Sequence, residues 1–259
     1  MVKKITTTMI DERLLVTSPD GNQIMGRLYG DENSSGILFM VHGFGVKSDS
    51  RGMYNKLAEI FGDRFLTVRF HLGSIDSLKN SIVVPSYSKQ VETFESVIDA
   101  VLEKYPGKKF SIVAHSQGCY IASLLLTAKN YNVDKVFLIS PSIRNDISEK
   151  LKSRYKDKDG SLIDETKTSK LVRSDGSVTL VPSDFWKEAD SIDTYELFSK
   201  VETNFDATFI WPKGDINVKP DEYRRLISLK PKKFVELEGN HELREDNWEG
   251  LINLLNNSL

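Results

Sequence analysis

Five consecutive apolar residues, Ile37 to Val41 in "ILFMV", stand out in a chain whose other early apolar positions alternate with polar ones. A strand that is apolar on both faces needs cover on both, so this run predicts a central strand with helices on either side. Ahead of it, "ITTTMIDERLLVTS" and "QIMGRLYG" flank the turn residues Asp20-Gly21-Asn22 and predict a hairpin. Beyond it the period shifts to three and four: Tyr54, Leu57, Ile60 and Phe61 mark one helix, and Val91, Phe94, Val97, Ile98, Val101 and Leu102 another. The strand "RFLTVRF" lies between them, and "KFSIVAHS", "GCYIASLLLTAKN" and "DKVFLIS" follow as strand, helix and strand. Repeated strand-helix units predict a largely parallel sheet with helices on both faces.

The rhythm breaks after Pro141. Residues 144–200 open on the charged run "RNDISEKLKSRYKDKDGSLIDETKTSK", continue with a hairpin turning at Asp175-Gly176, and close on a helical "DFWKEADSIDTYELFSK". Their charge predicts a solvated insertion rather than a second domain. The strands "ATFIWP" and "KKFVELEG" and the helices "DEYRRLISL" and "WEGLINLLNNSL" then resume the alternation. The expected division is therefore core from 1–143, insertion from 144–200, and core again from 201–259.

Composition narrows the functional classes. With 259 residues, 39% of them hydrophobic, the chain can bury a good core. A formal net charge of -2 leaves no basic footprint for nucleic acid, so no such partner is expected. The single cysteine, Cys119, excludes an internal disulfide and a multi-cysteine metal site, and fits a reducing, cytoplasmic compartment. Polar residues interrupt the opening "MVKKITTTMIDERLLV", so no secretory signal is expected. No apolar run is long enough for a membrane span. Nothing in the sequence indicates an oligomeric state.

In an open α/β sheet, sites gather at the carboxyl ends of strands, here the loops "HGFG", "HSQG", "KGD" and "GNHE". Ser116, in "VAHSQGCY", sits in a near match to G-x-S-x-G, with Ala114 at the first glycine position. A serine hydroxyl needs a base to take its proton and a third group to orient that base. Of His42, His71, His115 and His241, only His241 follows Ser116 at a strand-to-helix loop, whereas His115 adjoins the serine and would point away from it. Each residue alone has a plainer role: Ser116 as a helix N-cap, Asp215 in a turn, His241 in a surface loop. Asp206 is a second candidate acid, but it precedes its strand while Asp215 follows it.

Serine, then acid, then histidine is the chain order of the α/β-hydrolase triad, and the sequence resembles that superfamily. The likeness is to its small serine esterases, including cinnamoyl and feruloyl esterase-like members, and it covers nearly all of the chain outside the insertion. It is carried by "HGFG", "AHSQG", "KGDINV" and "GNHE". The resemblance implies an α/β-hydrolase fold, with a mostly parallel eight-stranded sheet, helices on both faces and residues 144–200 as a small cap. It also implies Ser116 as nucleophile, Asp215 as orienting acid, and His241 as general base and later acid. The oxyanion hole would be the backbone N–H groups of Phe44 and Gln117.

The implied activity is hydrolysis of small soluble carboxylic esters through an acyl-enzyme, with no metal or organic cofactor. Thioester, peptide or carbon-carbon bond hydrolysis on the same triad, and a non-catalytic ligand receptor, are the alternatives. On the cap, Phe185, Trp186, Tyr195 and Phe198 are candidates to line the pocket or to anchor the cap. The family pattern is broken at "RFHLGSIDS", where His71 replaces an aspartate, and at "WPKGD", where Pro212 stands near a usual glycine. A nucleophile at Ser116 further predicts a strained elbow in its backbone.

Overall fold

The computed structural model describes residues 8–243 and 248–259. In chain order its strands are β1 (Met9–Thr17), β2 (Gln23–Asp31), β3 (Gly36–Val41), β4 (Phe65–Phe70), β5 (Ile75–Asp76) and β6 (Ser81–Val83). They continue with β7 (Lys109–His115), β8 (Val133–Ile139), β9 (Ser169–Val172), β10 (Val178–Val181), β11 (Ala207–Pro212) and β12 (Phe234–Leu237). The helices are α1 (Met53–Phe61), α2 (Tyr87–Lys104), α3 (Gln117–Ala128), α4 (Ile147–Tyr155), α5 (Ser183–Ala189), α6 (Thr194–Asn204), α7 (Pro220–Ser228) and α8 (Trp248–Ser258). The first strand was expected from Ile5, and its residues before Thr8 lie outside the described residues.

Eight strands form the main sheet in the order β1-β2-β4-β3-β7-β8-β11-β12. The β1–β2 and β2–β4 pairs are antiparallel and every other pair is parallel. The run "ILFMV" is the strand its pattern predicts. Ile37, Phe39 and Val41 face the core that includes Phe94 and Val97 of α2 and Ile121 and Leu125 of α3. Leu38 and Met40 face the opposite core, with Tyr54 and Leu57 of α1 and Leu251 and Leu255 of α8. Strand alternation thus delivers apolar side chains to two layers, and each layer needs its own helices. Among the described residues no helix is long and apolar enough to cross a membrane.

The segment 144–200 is more deeply integrated than its charge suggests. Leu171, Val181, Phe185 and Trp186 are buried in the same core as α2 and α3, so the expected solvated excursion is corrected: its polar residues face out while its apolar ones rest on the body. The predicted hairpin forms between β9 and β10. The helix expected over 184–200 is two helices, because Asp193 accepts hydrogen bonds from the N–H groups of Tyr195 and Glu196 and so starts α6 afresh. A second sheet, β5-β6-β10-β9, was not anticipated. In it β6, from the loop after β4, lies parallel to β10 of the insertion.

Candidate active site

Ser116 occupies the single residue between β7 and α3, at φ 54° and ψ -120°. A side chain with a positive φ is strained, and here the surroundings hold it. The Ser116 N–H donates to the Ile139 carbonyl at 2.8 Å, and the Cys119 N–H donates to the Ser116 carbonyl at 3.0 Å. The turn is tight because α3 starts almost on top of β3: a Cβ at Gly118 would lie 2.1 Å from the Val41 carbonyl oxygen. Ala114, at the other glycine position of the motif, is fully buried within β7 and meets no such constraint. The plainer reading of Ser116 as a capping residue is not met, since its side chain makes no cap hydrogen bond.

The Ser116 hydroxyl instead faces a histidine. His241 Nε2 is 2.9 Å from Ser116 Oγ, and His241 Nδ1 is 2.7 Å from Asp215 Oδ2. With the Nδ1–H donating to the carboxylate, Nε2 is left as the acceptor for the serine proton. The Asp215 side chain is wholly enclosed, and its Oδ1 accepts the N–H groups of Asn217 at 2.8 Å and Val218 at 3.1 Å. Burial works to raise its pKa, but the hydrogen bond and charge of His241 and the two backbone donors outweigh it, holding the carboxyl below its ordinary value. Asp206 stands at the opposite end of β11, paired with Lys135 and Lys233.

His115 has a part that its position in sequence did not suggest. Its ring lies 5.0 Å from that of His241, and its Nε2–H donates to the His241 carbonyl at 2.7 Å. The Ser140 hydroxyl donates to the same carbonyl at 3.0 Å, so two buried side chains fix the main chain of His241. Burial, with the neighbouring His241, pushes the His115 pKa down to about 3, which keeps the ring neutral. The only sequence signal for Ser140 is its place at the carboxyl end of β8.

Phe44 and Gln117 bring two further backbone groups to the serine. Gln117 is the first residue of α3, where N–H groups have no partner within the helix. Among the described residues neither its N–H nor that of Phe44 has an acceptor. The loop carrying Phe44 passes close by, since a Cβ at Gly43 would be 3.1 Å from Ser116 Cβ. His42 orients this loop: its Nδ1–H donates to the Gly43 carbonyl at 2.9 Å while its Nε2 accepts the Leu72 N–H at 3.0 Å. Because a trans peptide directs its C=O and N–H oppositely, holding the Gly43 carbonyl also sets the direction of the Phe44 N–H. Only a neutral imidazole can donate and accept in this way, and burial pushes the His42 pKa down to about 4.

Two cavities meet at Ser116, Phe44 and His241. The larger, of about 300 Å³, is lined by Arg51, Arg154, Lys158, Arg173 and Glu242. The smaller, of about 80 Å³, is walled by Tyr87, Tyr120, Ile147 and Leu151. None of the four aromatic residues suggested for the pocket lines either cavity, which corrects that expectation. Phe185 packs behind Phe44 and Tyr87, Phe198 stacks on Tyr120, and Trp186 is buried with its Nε1–H donating to Ser169 Oγ. Tyr195 is on the surface, its hydroxyl donating to the Ser228 carbonyl. The apolar faces of α5 and α6 are spent on packing into the shared core. The basic residues that line the two cavities were missed, although Lys150, Arg154 and Lys158 recur every four residues beside the stripe Ile147, Leu151 and Tyr155.

A serine between strand and helix, backed by a histidine and a carboxylate on an eight-stranded α/β sheet, matches what comparison with known proteins finds. The model of the family described as serine aminopeptidase, S33, matches residues 32–176, more than half of the chain. The chain belongs to this family. The S33 match takes in Phe44, Ser116 and Gln117, whereas Asp215 and His241 lie beyond it. The expected superfamily and fold, an α/β-hydrolase with serine hydrolase relatives, are thus met.

Among solved structures, DcsB in complex with its substrate analogue is 17% identical, over 96% of this chain and 97% of that one, with a TM-score of 0.73. Est1E from Butyrivibrio proteoclasticus is 16% identical, over 95% and 96%, with a TM-score of 0.70. The esterase PF2001 of Pyrococcus furiosus is 14% identical, over 96% and 89%, with a TM-score of 0.69. Identities this low establish a shared fold. No curated protein matches the sequence.

Proposed function

We propose that this S33-family protein is a serine hydrolase that cleaves small soluble carboxylic esters through an acyl-enzyme, with residues 144–200 as its cap. The observation that carries the reading is the unbroken row of hydrogen bonds from Ser116 Oγ through His241 to the enclosed Asp215 carboxylate. In this reading His241 Nε2 takes the serine proton as Oγ attacks the ester carbonyl, and Asp215 holds the imidazolium that forms. The N–H groups of Phe44 and Gln117 receive the negative charge on the former carbonyl oxygen. His241 then returns the proton to the departing alcohol, and a water molecule activated by the same nitrogen releases the acid and restores the serine.

The name of one structural relative lends support, the Pyrococcus furiosus protein being called an esterase. Aminopeptidase action has less behind it, because a free α-ammonium group calls for an anionic partner near the nucleophile. Among the described residues, the carboxylate lining the large cavity is that of Glu242, which is already 3.1 Å from Arg51. A cytoplasmic setting is part of the proposal, on the strength of the buried, unpaired Cys119.

The test is Ser116→Ala, which removes Oγ and leaves the strained backbone to a residue of similar size. Turnover of short-chain chromogenic esters is expected to fall by about 10³-fold or more, with loss of fluorophosphonate labelling and an unchanged circular dichroism spectrum. Native-like turnover in the variant, or a native protein that neither hydrolyses esters nor takes up the label, overturns the reading.

A further inference from the structure

The two cavities beside Ser116 differ in how their charges are met. In the smaller one, Arg144 and Lys150 are neutralised: Arg144 pairs with Asp146 at 2.7 Å and with Glu222 at 3.3 Å, and Lys150 is 3.7 Å from Glu222, while Arg154 stands at the boundary and lines both cavities. In the larger one, among the described residues, only Arg51 has a carboxylate, that of Glu242. Among the described residues no carboxylate pairs with Arg154, Lys158 or Arg173, which line the same wall. A guanidinium of Arg154 donates to the Asn217 side chain, Arg173 donates to the Phe44 carbonyl at 3.4 Å, and the Lys158 ammonium lies 5.0 Å from the centre of the Tyr155 ring. These contacts orient the three groups without an ion pair, although the exposed Asp175 carboxylate acts on Arg173 and Arg51 from beyond ion-pair distance. The chain carries 35 basic and 37 acidic residues, so the excess is a property of this chamber and not of the molecule.

Unneutralised cations gathered in a partly enclosed cavity are unfavourable unless an anion joins them. The Arg173 pKa is lowered chiefly by burial, and the charges of Arg51 and Arg154 act in the same direction. Guanidinium groups present paired donors that match a carboxylate or a phosphate. We infer that the substrate is an anionic ester, with a carboxylate or phosphate held by Arg154, Arg173 and Lys158 in the large cavity and a short apolar group in the small one. The inference rests on the proposed hydrolase reading for the position of the scissile bond, which would lie at Ser116 where the cavities meet. The occupancy of the chamber by an anion stands on the chamber alone.

Binding and turnover separate the two. Monomethyl adipate, methyl phosphonopentanoate and the neutral dimethyl adipate are titrated by calorimetry into the Ser116→Ala protein and offered as substrates to the native protein. At least one of the two anions is expected to bind about tenfold or more tighter than dimethyl adipate, with the advantage shrinking at high salt. Which anion does so tells a carboxylate site from a phosphate site. Arg154→Gln and Arg173→Gln, each made in the Ser116→Ala background, are expected to cut that preference about tenfold. Arg154 is exposed, so its replacement also guards against a variant that fails to fold. Equal binding of dimethyl adipate and both anions, or a preference unmoved by both arginine variants, overturns the inference. If the anions bind with the expected preference but the native protein cleaves no ester, the chamber stands and the hydrolase reading falls. If neutral and anionic esters are cleaved equally well, the hydrolase reading stands and the anionic substrate is wrong.

Discussion

Asp215 has three donors on its carboxylate and no access to water, so it can offer only acceptors to His241. Asp215→Asn exchanges one oxygen for an NH₂ group and allows the imidazole to turn its proton toward Ser116, the tautomer that cannot accept from the hydroxyl. A loss in kcat of about 10³–10⁴-fold, with the fold retained, is the expected result in steady-state kinetics and circular dichroism. A loss below tenfold would mean that Asp215 does not set the tautomer. Ser116, Asp215 and His241 were legible in the sequence because each falls in a loop at the carboxyl end of an apolar strand. His115 and Ser140 were not, since their partner is a backbone carbonyl, and a carbonyl leaves no signature in residue type. Arg154 and Lys158 were hidden differently: in a run of charges, a side chain facing a cavity reads the same as one facing water.

At the scale of elements, the turn from β7 into α3 depends on how closely that helix can approach β3. Gly118→Ala puts a methyl group 2.1 Å from the Val41 carbonyl oxygen, inside any permitted contact, so helix and strand must separate. Destabilisation of about 2–3 kcal/mol is expected from urea denaturation, together with a loss of activity as the Gln117 N–H moves. Gly176, at φ 78° in the β9–β10 turn, has open space about its Cα, and the same change there costs about 1 kcal/mol through backbone conformation alone. If the two substitutions cost the same, close approach is not what Gly118 provides. Long elements such as α2 and α3 were readable because many apolar positions repeat the helical period. Strands β5 and β6, of two and three residues, are too short to carry any period, and only their pairing with each other, and of β6 with β10, makes them strands.

For the molecule as a whole, two buried neutral histidines tie stability to pH. His42 and His115 have pKa values pushed down to about 4 and about 3 by burial, against an ordinary value of about 6.5, and the less enclosed His71, pushed down to about 4 in the same way, adds to their effect. Between those values the unfolded chain takes up protons that the folded one refuses, so stability is fully present above about pH 6.5 and declines as the pH falls toward 4. The loss is about 1.4 kcal/mol per pH unit for each ring, or nearly 3 kcal/mol for both. Urea midpoints measured at about pH 7.5 and about pH 5.5 are expected to show the drop, and His115→Gln should lessen it. Equal midpoints would mean that these rings accept protons without unfolding.

The sheet β5-β6-β10-β9 also bears on how such a molecule can diversify. One of its edges comes from the loop after β4 and the other from residues 144–200, so the two segments share one set of backbone hydrogen bonds. A lineage that replaced the insertion alone would leave β6 with one bare flank of unsatisfied N–H and C=O groups. New cavity walls over Ser116 therefore have to arrive with a matching loop after β4, or with some other cover for that flank.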